Sequence, residues 1–244
     1  MREPVHPGDF KQLLRNVRTG RAAVESLPRA RTTNGAPTTP MERPFEMDDI
    51  DVRATLRDAK TVLRQPIRPD WFRCLDPEDP EDMPQILAQC PYGVPGARLS
   101  VTEAWNLKGL AWNLLNSGDV DSAVRIAAPE ARLYRATHKD PWIGGWCPAK
   151  SMPRALSRIT LEIVSVRVER LHSITANDVK AEGIEVPDVD YTVGDHPDVL
   201  DAEREAFARK AFAERWNAVH GRRRGASWTA NPHVFRVEYR RIKP

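Results

Sequence analysis

The stretch SRITLEIVSVRVERL, residues 157–171, limits the possible folds of this chain more than any other. Ile159, Leu161 and Ile163 recur at every second position, and Val166 and Val168 then resume the alternation with its parity shifted. A period of two marks a strand with one buried face. A parity change within such a strand is what a β-bulge produces, and bulges bend sheets in the way small barrels require. The closing HVFRVEYRRI repeats the period, with Phe235, Val237 and Tyr239 alternating against Arg236, Glu238 and Arg240. This pattern predicts a half-buried strand.

Helical spacing occurs elsewhere. Ile50, Val52, Ala54, Leu56 and Val62 predict a helix within 48–64 that breaks before Pro66. TEAWNLKGLAWNLLNSGD places Trp105, Leu107, Leu110, Ala111, Leu114 and Leu115 at mostly helical spacing before Gly118. DAEREAFARKAFAERWNAVHG reads as an amphipathic helix closing at Gly221. CPYGVPGARLSV predicts turns followed by a strand, and the acidic, proline-rich CLDPEDPEDMP a surface loop. There is no internal repeat. Strands interleaved with a few helices define an α+β chain, expected to be built around a small β-barrel with flanking helices.

At 244 residues the chain accommodates one good-sized domain with appendages. Residues 1–40 have little apolar periodicity and end in RARTTNGAPTTP, so they read as a flexible basic arm; the domain is expected to run over 41–244. No stretch approaches the ~20 apolar residues of a membrane span. The first twenty residues lack the apolar core of a secretory signal, and three cysteines suggest no disulfide framework, so a cytoplasmic setting is expected. Cys74, Cys90 and Cys147 with His138 could be imagined as zinc ligands. No Cys-x-x-Cys pair or common zinc spacing supports them, and neither metal nor cofactor is expected. Net charge is only +3, but basic residues gather in the arm, in GRRRGASW and in VEYRRIKP. Such patches permit a nucleic-acid partner without requiring one.

Four stretches, in order, resemble the ASCH domains of the PUA-like superfamily, in their longer phage-encoded form. They are FEMDDIDVRATLRDAKTVLRQPIRP, CPYGVPGARLSVTEAW, MPRALSRITLEIVSVRVERLHSITANDVKAEGI and AFAERWNAVHGRRRGASWTANPHVFRVEYRRI. Together they cover roughly residues 43–242, with 70–88, 106–132 and 186–200 as elaborations. The resemblance implies a small barrel with a basic cleft beside the first helix, suited to RNA, a nucleotide or a modified nucleoside. Some bacterial members are amidohydrolases that deacylate N(4)-acetylcytidine, using a lysine base, a threonine nucleophile three residues later and a glutamate proton donor. The lysine falls on Lys60 and the glutamate on Glu182, but the nucleophile position is Leu63. The family glycine two residues before the lysine is Asp58 here, and its arginine falls on Gln65 with Arg64 one step earlier.

Without a hydroxyl at position 63 the expectation is binding rather than turnover. The alternative is an amidohydrolase in which Lys60 and Glu182 work with water or with the neighbouring Thr61. Lys60, Arg64, Lys150, Arg154 and Arg158 are the candidate ligand contacts, the last three because PAKSMPRALSR mixes basic and hydroxyl side chains as phosphate sites do. Trp216 and Trp228 read as core and turn anchors.

Overall fold

The structure, a computed structural model, describes residues 42–67, 75–187 and 197–243. They belong to one unit, Pro40–Pro244. The expected basic arm lies outside the described residues, as does Cys74.

The strands and helices are β1 (Glu42–Glu46), α1 (Asp49–Leu56), β2 (Val62–Pro66), α2 (Met83–Ala88), β3 (Arg98–Thr102), β4 (Trp105–Leu107), α3 (Leu110–Asn116), α4 (Val120–Ile126), β5 (Arg132–Tyr134), β6 (Thr160–Arg170), α5 (Ala176–Ala181), α6 (Pro197–His220) and β7 (His233–Ile242). Five strands form one sheet in the order β1-β3-β6-β7-β2, and β4 pairs with β5 in a separate ribbon. All contacts in the large sheet are antiparallel except β1 with β3. This is a mixed α+β architecture. The sheet is open, with β1 and β2 at its edges, so no closed barrel forms among the described residues.

The parity shift in the long strand is a register break. Ile163 pairs with Tyr239, Ser165 pairs with Glu238, and Val164 is left over with half its surface exposed. Leu161 and Ile163 are buried before the break, and Val166 and Val168 pack against the same core after it. The bulge thus keeps one apolar face on the core while the strand bends. β7 differs from the half-buried expectation. As a central strand between β6 and β2 it buries Val234, Phe235, Arg236 and Val237 consecutively, including a guanidinium.

The helix expected over 48–64 ends early. Asp48 caps α1 by accepting from the Asp51 backbone N–H at 2.9 Å, and the helix stops at Leu56. Asp58 N–H bonds Thr55 O and Ala59 N–H bonds Ala54 O, the double closure of a Schellman turn. Asp58 holds the left-handed position this turn needs, with φ +57°. Aspartate tolerates that conformation better than most residues, and here Arg241 and Lys243 grip its carboxylate at 3.0 Å each. Reversed in direction, the chain then enters β2. Pro66 is accommodated at its end because β2 is an edge strand. The periodicity was misleading because Val62 falls in phase with α1 by coincidence, and the usual glycine stop signal is absent. The helix expected across 105–115 is likewise divided: Trp105–Leu107 is a strand, and α3 begins only after Gly109.

Three apolar clusters result. The largest lies against the sheet around Leu99, Leu161, Ile163, Phe235 and Val237. A second joins α5 and α6 through Val179, Ala208, Phe212 and Trp216. The third, around Trp105, Leu107 and Leu156, packs with the segment carrying α3 and α4. Gly183 brings the end of α5 against α1. Its φ is +82°, and a Cβ there would lie 2.7 Å from Ala54 Cβ and 3.0 Å from Lys60 Cβ. Gly118 is equally left-handed at +91° but has open space around it. Gly183→Ala is therefore expected to destabilise the protein by clearly more than Gly118→Ala, which should cost only the ~1–2 kcal/mol of the backbone conformation. Urea unfolding of both variants measures this, and equal losses would show that the close approach is not constraining.

Candidate functional site

The Schellman turn delivers Lys60 to the C-terminus of α5. There Lys60 and Glu182 form an isolated antiparallel bridge, and Thr61 N–H donates to Ala181 O at 2.8 Å. The Lys60 ammonium donates to Glu182 Oε2 at 2.7 Å and to Glu182 O at 3.0 Å, with Asp51 Oδ2 at 3.7 Å. Both side chains are 6% exposed. Although far apart in sequence, the two residues that the resemblance singles out are in direct contact.

Around this pair lies a buried ionic network. Arg64, on β2, donates to the other Glu182 oxygen at 3.0 Å and through Nε to Glu169 Oε1 on β6 at 2.9 Å. Its Nη2 lies 2.8 Å from Glu169 Oε1 and 3.4 Å from Asp178 Oδ1, off the hydrogen-bonding direction of either. Arg236, on β7, reaches Asp178 at 2.9 Å and also pairs with Glu238. Burial works to raise the Asp178 pKa, but Arg236 and Arg64 outweigh it and hold the carboxyl below its usual range. For Lys60, burial works to lower the pKa, and the Glu182 and Asp51 carboxylates more than reverse it. Lys60 is therefore held as an ammonium ion, the wrong form for a base.

Of these groups Lys60, Arg64, Glu182 and Asp51 line a cleft of about 470 Å³, the first three forming its buried end, within the ~300–1,000 Å³ typical of small-ligand pockets. Phe45, Tyr92, Phe212 and Trp216 supply aromatic walls. Phe45 meets Tyr92 edge-on at 5.1 Å, and Phe212 stacks near Trp216 at 5.9 Å. Tyr92 donates to Gln65 Oε1 at 3.0 Å. Arg215, on α6, bridges Asp48 and Asp51 at 2.6 and 2.9 Å and so ties α6 to the start of α1. The lining carries four cations (Lys60, Arg64, Arg215, Arg223) and four carboxylates (Glu46, Asp48, Asp51, Glu182). The cleft is thus balanced in charge rather than basic. Glu46 is exposed where this cleft approaches the groove beside β1.

The candidate ligand residues separate into three places. Lys60 and Arg64 line the cleft, though Arg64 is fully buried within its ion pairs. Lys150 and Arg154 line the groove beside β1 and β3, where Arg154 pairs with Glu42 at 2.5 Å. Arg158 joins neither. It grips the buried Glu103 with two hydrogen bonds, at 2.8 and 3.0 Å, and stacks on the Tyr134 ring at 4.1 Å. Leu63 lines the cleft, whereas Thr61, the neighbouring hydroxyl that could stand in for the nucleophile, is exposed and absent from its lining. Trp216 is a core anchor, donating to Ala226 O at 2.7 Å, and it also forms part of the wall. Among the described residues no three His, Cys, Asp or Glu side chains are grouped to hold a metal, and no helix is long and apolar enough to cross a membrane.

Sequence reasoning passed over Asp51, Tyr92, Arg215 and His220. His220 is the last residue of α6 and was hidden by its position in an ordinary amphipathic helix; only the glycine stop after it, Gly221, hinted that its surroundings differ. Comparison with models of known families, with curated proteins and with solved structures gives no match.

Burial, aided by the charge of Arg223, pushes the His220 pKa from 6.5 down to about 4. The unfolded chain accepts that proton near pH 6.5 and the folded protein only near pH 4. Stability therefore falls as pH drops through this window and is unaffected by His220 above it. Relative to His220→Phe, the wild type is expected to lose up to about 1.4 kcal/mol more per pH unit between pH 6.5 and 4. Urea midpoints at pH 4.5, 5.5 and 7 for both proteins measure the difference; parallel curves would mean that His220 binds its proton equally in the folded and unfolded chain.

Proposed function

We propose that this protein is a nucleotide-binding domain of the ASCH type, with a sheet of the PUA-like kind, and that its cleft holds the ring of a nucleotide or modified nucleoside without turnover. The observation that carries this reading is the meeting of Lys60 and Glu182 at the inner end of a cleft walled by four aromatic side chains. Aromatic walls suit a flat heterocycle, and a fixed ammonium–carboxylate pair offers a donor and an acceptor side by side to its polar edge. The order of the four family-like sequence stretches adds support. Charge balance favours one nucleotide, free or at an unpaired position of an RNA, over a groove that tracks a polyanionic backbone.

Quenching of tryptophan fluorescence tests the reading, because Trp216 lines the cleft. Ribonucleosides and their monophosphates are expected to quench saturably, and Glu182→Gln should weaken binding by ~10-fold or more through loss of a charged hydrogen-bonding group. If none of these ring compounds binds, the reading is wrong.

The same Lys60–Glu182 contact favours a second reading, an amidohydrolase acting on an N(4)-acylated cytidine. Three observations weigh against it: Lys60 is held as an ammonium, Leu63 has no hydroxyl, and Thr61 is outside the lining. The unaltered protein is expected to leave N(4)-acetylcytidine intact in a chromatographic deacylation assay, with any gained activity confined to Leu63→Thr. Turnover by the unaltered protein that disappears in Lys60→Ala would reverse the order of the two readings.

A further inference from the structure

Two features of the cleft have no partner within the described residues, and together they describe a ligand. The first is His220. It is 9% exposed, its Nδ1 is buried, and neither ring nitrogen hydrogen-bonds another described residue. Its ring is held against Trp216, with centroids 4.3 Å apart and planes at 47°. Buried polar groups are ordinarily satisfied, and one left unsatisfied in a cleft wall is prepared for a group that arrives from outside.

The second feature is Arg223, in the turn that follows α6. It is exposed and lines the same cleft. The other three cations of the lining are already neutralised: Lys60 by Glu182, Arg64 by Glu182 and Glu169, and Arg215 by Asp48 and Asp51. Arg223 alone among them pairs with no described carboxylate. The cleft wall therefore carries a neutral imidazole without a hydrogen-bond partner among the described residues and, on its exposed side, a guanidinium paired with no described carboxylate.

We propose that the ligand is a nucleoside monophosphate whose heterocycle edge is read by His220 and whose phosphate is held by Arg223. This rests on the nucleotide-binding reading above and narrows it. A neutral imidazole carries one donor and one acceptor that point apart, so one of its nitrogens makes a single hydrogen bond to the edge of a nucleobase. Burial and the nearby Arg223 keep the ring neutral at pH 7, so it does not compete with Arg223 for the phosphate. One unpaired arginine matches one phosphate, held by charge-assisted and ideally bidentate hydrogen bonds. A polyphosphate would bring further negative charge with no additional unpaired cation among the described residues of the lining to meet it.

Isothermal titration with the four ribonucleosides and their 5′-monophosphates tests this on the wild type, Arg223→Ala, His220→Phe and His220→Gln. In the wild type the preferred monophosphate is expected to bind ~10-fold or more tightly than its nucleoside. Arg223→Ala should bring that ratio to within ~2-fold while leaving nucleoside affinity in place, as removal of the phosphate contact alone would. His220→Phe keeps a ring against Trp216 but should lose ~10-fold for both ligand types and flatten the preference among bases, since the edge contact is gone. If that variant does not fold, His220→Gln, which retains a donor and an acceptor, should fold and keep part of the preference. Equal wild-type affinity for nucleoside and monophosphate, an unchanged ratio in Arg223→Ala, or unchanged base preference in both His220 variants overturns the proposal while the nucleotide-binding reading stands. Failure of every ring compound to bind removes both.

Discussion

The organisation of this protein depends on a buried ion network that joins the sheet to the short helix α5. Arg64 comes from β2, Glu169 from β6, Arg236 from β7, and Asp178 and Glu182 from α5 and its end. Removing such charges from water is costly, and mutual attraction compensates only when geometry is good and remaining donors are occupied. Here each carboxylate meets at least one cation within 3.0 Å. An arrangement of this kind is poor evidence of stability for its own sake. It lies where two apolar clusters, one on the sheet and one between α5 and α6, meet, joining β2, β6 and β7 to α5.

The cleft follows from that junction. Apolar packing would have closed the space between the two clusters, whereas a charged seam keeps polar groups at its inner end and leaves room above them. Gly183 makes the seam tight, because only a residue without a Cβ lets α5 come so near Lys60 and Ala54. Arg215 closes one side by tying α6 to α1. The result is a site whose charged walls largely neutralise one another, in which His220 and Arg223 lack a polar side-chain partner among the described residues. Its selectivity would come from shape and from a few hydrogen bonds rather than from bulk charge.

Part of this was legible in advance. The alternation broken after Ile163 revealed both the long strand and its bulge, since a single parity slip within a period of two is the direct signature of one extra residue in a strand. The long C-terminal helix and the strand after the Gly-rich turns were readable for similar local reasons. The end of α1 was not. Its Schellman turn uses Asp58 in place of glycine and relies on Arg241 and Lys243, nearly two hundred residues away, to hold that carboxylate. Arg158 resembled a phosphate contact because its buried partner, Glu103, lies far upstream of it.

The sequence by itself determined the α+β class, the bulged central strand, and Lys60 and Glu182 as a pair worth examining. The first two are statements about local period, which neighbours in the chain are enough to specify, whereas Lys60 and Glu182 were paired only through the family resemblance. Only the tertiary structure decided that the sheet is open among the described residues, that Lys60 is an ammonium locked to Glu182, and that the cleft is balanced in charge. It also decided that Arg158 is a strut held by Glu103 and that His220 has no hydrogen-bond partner among the described residues. Each of these depends on which charges and carbonyls come within a few ångströms across the fold, and long-range pairing of that kind leaves no period in the chain.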